Sequence, residues 1–216
     1  MNSAPAPSSD QPFVSPSRLR HTVVLVALLN LAYFVVEAAV AVRIGSVSLF
    51  ADSVDFLEDT AVNLLIALAL GWSLHWRSRM GKVMAVIILV PAIAALWQAV
   101  VKFRDPHPPE VLSLVLTAGG AIVVNGVCAL IPMRIRHHGG SMGRAAFLAA
   151  RNDVFVNAAI IAMAGVTAWS RSGWPDLVLG VLIVVINGSA AKEVWEVANE
   201  EGLAAKALAG EAPDED

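Results

Sequence analysis

The chain carries six long apolar runs, and that arrangement excludes most folds before any motif is read. The runs are His21 to Val42, Val47 to Trp72, Val83 to Val101, Val111 to Met133, Ala145 to Trp169, and Leu177 to Ala191 with an extension toward Trp195. A helix needs roughly 20 apolar residues, about 17–25, to cross the hydrocarbon of a bilayer. In lipid every backbone N–H and C=O must find a partner within the protein, which a helix supplies within its own segment. A membrane β-barrel would read instead as short segments of alternating hydrophobicity, and the sequence has none. The expected fold is an all-α membrane protein with six transmembrane helices.

Composition agrees. Hydrophobic residues make up 57% of the 216 and charged residues only 15%, where soluble domains carry about 25% charged. A net charge of -3 offers no basic face to nucleic acid. The single cysteine, Cys128, has no partner for an internal disulfide. Residues 1–17 are Pro- and Ser-rich without the compact basic start of a signal peptide, and read as a disordered tail. Residues 18–197 hold the spans, and 198–216 read as a short acidic tail.

Lys and Arg set the orientation. With the N-terminus inside, Arg18, Arg20, Arg77, Arg79, Lys82, Arg134, Arg136, Arg144, Lys192 and Lys206 fall on the inner side, and Arg43, Lys102, Arg104 and Arg171 on the outer. Ten against four predicts a multi-pass protein of the cell membrane with both termini cytoplasmic. Trp72, Trp76, Trp169 and Trp174 sit at span ends, as an aromatic belt requires. Every loop is short, so the chain is not expected to be an enzyme with a catalytic domain outside the membrane. Its chemistry must lie among the helices.

The second run breaks the apolar pattern. At 100° per residue Asp52, Asp55, Asp59 and Asn63 share one helix face, and Asp55 and Asp59 are neighbours at i, i+4. Each charge inside a span costs about 2.5–3.5 kcal/mol on insertion scales, and adjacent like charges add repulsion. Such a pair persists where a counter-ion meets it. Asp52 is also readable as a helix end wetted by the outer surface. The fifth run carries Arg151, Asn152, Asp153 and Asn157. Asp153 either meets the second run's acids at similar depth or pairs with Arg151. Oxygen ligands converging from two helices suit a hard or borderline divalent cation.

Asn30, Glu37, Gly45-Ser-Val-Ser48 and Ala51-Asp-Ser-Val-Asp55-Phe-Leu-Glu-Asp59 together resemble the cation diffusion facilitator family of metal/proton antiporters. The resemblance spans roughly residues 20–195. It implies six spans with both ends inside, and a transport site built from one ligand pair four residues apart on helix 2 and another on helix 5. Helix 2 supplies Asp55 and Asp59. On helix 5 the family has His then Asp. If Asp153 is that Asp, the His position holds Ala149; in the other register Asp153 and Asn157 are the pair. Many members also carry a cytoplasmic domain after helix 6, which the 24 residues from Glu193 to Asp216 are too few to form.

The expected metal ligands are Asp55, Asp59, Asp153 and Asn157. Asp52, Glu37, Asn30 and Asn152 are candidates for an ion path. Glu37 lies on the same face of helix 1 as Asn30 and lines that path or pairs within the bundle. Asn125 and Asn187 read as interhelical hydrogen bonds, Gln98 as an outer-interface residue, and His137 and His138 as a solvated loop. The expected function is divalent metal cation transport, coupled to protons and directed out of the cytoplasm, because metal and protons compete for the same carboxylate oxygens. The alternative is a non-transporting membrane scaffold or accessory subunit with a degenerate metal site. The implied partners are the metal ion, protons, lipid and a second copy of the chain, with no resident cofactor.

Overall fold

The computed structural model describes residues 16–69, 72–135, 141–187 and 190–209. They form α1 (Pro16–Ile44), α2 (Val47–Ala69), α3 (Leu74–Arg104), α4 (Val111–Ile135), α5 (Ser141–Ser170), α6 (Trp174–Asn187) and α7 (Ala190–Ala209). Arg20–Ile44, Leu74–Arg104, Val111–Ile131 and Asn152–Ser170 are long and apolar enough to cross a membrane. Only 22–33% of each apolar window is buried within the bundle. The rest, including Val35, Val90, Trp97, Leu112 and Phe155, faces outward, as a lipid-facing surface must.

α2 is the hub. It packs on α1, α3 and α6 and touches α5 and α7. It runs 23 residues and carries four carboxylates: Asp52, Asp55, Glu58 and Asp59. Burial against neighbours on several sides lets so charged a helix occupy the centre of an apolar bundle.

The α1–α2 connection is a Schellman turn. The Ser46 N–H donates to Ala41 O at 3.0 Å and the Gly45 N–H to Val42 O at 3.4 Å. Gly45 adopts φ +66, a left-handed conformation that costs glycine nothing. The turn sets an antiparallel register that Thr60 repeats four turns away, its hydroxyl donating to Ala27 O at 3.3 Å. Around this pair, Leu49, Ala51, Leu114, Ala118, Ile160, Ala164 and Ile183 form the largest apolar cluster.

On the sixth run the described residues are helical over Trp174–Asn187 (α6) and again over Ala190–Ala209 (α7). α7 then packs along α3. Arg77 on α3 pairs with Glu201 on α7, and Lys82 lies 5.5 Å from the centre of the Trp195 ring. The charged residues of α7, Lys192, Glu196, Glu200 and Glu201, belong at a wet surface, not in hydrocarbon.

Candidate functional site

The polar residues of α1, α2 and α5 are arranged in two layers. The first contains Glu37, Asp52 and Asn157, which are 0%, 1% and 0% exposed. Helix register explains the meeting. The α1–α2 turn brings Glu37 level with the start of α2, and Asp52 comes within reach of both the Glu37 carboxylate and the Asn157 amide. Neither Glu37 oxygen has a hydrogen-bond partner, nor do Asp52 Oδ2 and Asn157 Oδ1. The Asn157 Nδ2 donates to Asp153 O at 3.1 Å.

The second layer lies about one to two turns farther along α2 and contains Asp55, Asp59 and Asp153, all half-buried. The charge of Asp153 reaches Asp52, Asp55 and Asp59, so α5 presents it to the acidic face of α2. These three aspartates share one electrostatic environment, yet among the described residues no three His, Cys, Asp or Glu side chains converge closely enough to hold a metal ion. Among the described residues α2 touches α5 as well as its larger neighbours. Asn63 repeats the Asn157 arrangement, donating to Asp59 O at 2.8 Å.

The remaining expected residues separate clearly. Asn30 is fully buried, with both amide atoms unpartnered, two turns of α1 from Glu37. Asn152 is exposed and turns away from both layers. Asn125 is buried. Gln98 is half-buried and donates to Ser46 O at 3.5 Å. The side chains of Ala149, Arg151 and Asn187 lie outside the described residues, as do His137 and His138 entirely. The described residues therefore decide neither the register at Ala149 nor the pairing of Asp153 with Arg151.

One cluster was not foreseen. Asp176, in the first turn of α6, is 1% exposed and caps α2 from outside that helix. Its carboxylate accepts from Val47 N (2.8 Å), Ser48 N (3.3 Å), Ser46 Oγ (2.6 Å) and Ser48 Oγ (2.6 Å). Lys102, expected in an outer loop, instead lies buried in the last turn of α3. It donates to Asp176 Oδ2 at 2.7 Å and to Gly45 O at 2.5 Å. Ser46 completes the cap by accepting from Leu49 N at 3.1 Å. An anion satisfies the free N–H groups at a helix start and complements its dipole; here a lysine balances the charge. This knot ties α2, α3 and α6 together at the end nearest the fully buried layer.

The charge of Asp59 also reaches Cys128 on α4.

Comparison with known proteins gives a consistent picture. Residues 23–200 match the family described as "Cation efflux transmembrane domain". The chain is 29% identical over 177 residues to the zinc transporter ZitB of Escherichia coli (strain K12), covering 71% of this chain and 53% of that protein. The ZitB of Shigella flexneri matches to the same extent. The chain thus spans about half the length of the curated relatives it matches.

Proposed function

Because the chain belongs to the cation efflux family, as a multi-pass membrane protein, we propose that it moves a divalent metal cation out of the cytoplasm in exchange for protons. In this reading six helices cross the membrane, both termini are cytoplasmic, and Asp55, Asp59 and Asp153 hold the cation. The observation that carries the reading is that Asp153 of α5 lies within electrostatic reach of Asp55 and Asp59 of α2 inside an apolar bundle. Nothing but a cation or protons makes that arrangement tolerable in lipid. In this reading the site is exposed to alternate sides as the helices rock.

The exchange follows from the ligands. Three carboxylates that lose a dication at the bilayer centre must take up protons or leave their charges uncompensated, so metal binding expels protons. Zinc, named for the ZitB relatives, and manganese, suited to oxygen ligands, are the first ions to test. The experiment is metal flux in proteoliposomes with a pH-sensitive dye inside. Wild type should move metal with proton counterflow. Asp59→Ala should reduce the flux on the order of 10–100-fold, the range that loss of even an outer-shell partner costs a metal site. The rival reading, a membrane scaffold, draws on the absence of three convergent metal-ligating side chains among the described residues. No flux from protein that is folded and correctly inserted would favour it.

A further inference from the structure

The fully buried layer is chemically distinct from the half-buried one. Its inward atoms are Glu37 Oε1 and Oε2, Asp52 Oδ2 and Asn157 Oδ1, all acceptors and all without a partner. Asn157 Nδ2 gives one of its two N–H groups to the Asp153 carbonyl, and only the other is left to face Asp52. Lys102, the buried lysine at this end, is committed to Asp176 and Gly45. The charges that reach Glu37 are those of Asp52 and Asp55, which repel it.

One proton shared between Glu37 and Asp52 would serve two of these four oxygens and leave the others buried and unmet, a costly arrangement. A cation meets all four at once. We propose that Glu37, Asp52 and Asn157 form a second binding station for a hard divalent cation, separate from Asp55, Asp59 and Asp153. Two carboxylates balance one dication, and an all-oxygen set of carboxylate and amide ligands is the kind that hard divalent ions take.

The station's surroundings fix its place on the route. The Asp176–Lys102 knot holds the N-terminal end of α2, four to six residues before Asp52. On the other side burial relaxes from Asp52 to half-buried Asp55 and Asp59. A cation therefore arrives from the Asp59 side, passes Asp55 and is held at Glu37, Asp52 and Asn157 until the knot moves. This inference rests on the transport reading above and adds to it an occluded stop beyond the half-buried layer.

The test is manganese stoichiometry on the purified full-length protein in nanodiscs, by equilibrium dialysis with paramagnetic resonance of the bound ion. Wild type should bind two Mn2+ per chain. Glu37→Gln, checked for native size and helicity, should bind one. Asp52→Asn, as an independent removal of the same station, should also bind one. Asp55→Asn combined with Asp59→Asn should bind one, with a spectrum unlike that left in Glu37→Gln. One ion in wild type that survives Glu37→Gln and is lost in the α2 double variant would overturn the second station and leave the transport site intact. One ion that survives the double variant and is lost in Glu37→Gln would overturn the Asp55–Asp59 assignment instead. No bound Mn2+ in wild type would overturn both.

Discussion

Single positions carry testable weight in this molecule, and Lys102 is the clearest. Its ammonium sits 7% exposed against an Asp176 carboxylate that is 1% exposed. Removing one partner of a buried ion pair leaves the other charge uncompensated and costs about 3–5 kcal/mol. Lys102→Met should therefore lower the melting temperature in detergent sharply. Adding Asp176→Asn should recover part of the loss, because the amide still accepts from Ser46 and Ser48 without a stranded charge. Gly180 is a second such position. A β-carbon there would stand 2.7 Å from Ser48 N and 2.6 Å from Val47 Cγ1, so Gly180→Val must push α6 off the start of α2. Overpacking of this kind costs about 1–3 kcal/mol, which the same melting assay would read. At Ala149 the expectation comes from the helix 5 register: Ala149→His should tighten zinc binding, since imidazole is a good zinc ligand. Unchanged zinc affinity by calorimetry would favour the register that pairs Asp153 with Asn157.

At the scale of elements, what the sequence revealed and what it hid have physical reasons. The acidic face of α2 was legible because charge in an apolar run is expensive and helix geometry then fixes which residues align. The Asp176–Lys102 knot was not legible. Its parts lie 74 residues apart, each near the end of its helix, where an isolated charge reads as interfacial. The division into two layers depends on burial by α1 and α5, which no single helix face encodes. One element makes a pH prediction. Before α4, the Glu110 carboxylate accepts from Leu112 N and Ser113 N, both at 3.0 Å. Bonding to Ser113 and then Leu112 holds its pKa below the ordinary glutamate value. A lowered folded pKa contributes stability that is complete above the unfolded value, about 4.3, and is lost as pH falls through the folded one. Amide exchange at the first turn of α4 should accelerate selectively below about pH 4. Glu110→Gln should exchange faster at neutral pH and lose that acid step.

For the whole molecule, the proposed function has a bundle organised around an acidic α2 exchange metal for protons. The most direct test is metal-driven proton flux in sealed proteoliposomes, measured across an imposed metal gradient with and without Asp55, Asp59 and Asp153 replaced together by Ala. Wild type should move protons against the metal flow, with a flux that grows with the metal gradient, and the triple variant should show neither movement. Metal flux in wild type without proton movement, or flux that persists in the triple variant, would overturn metal–proton exchange at these aspartates.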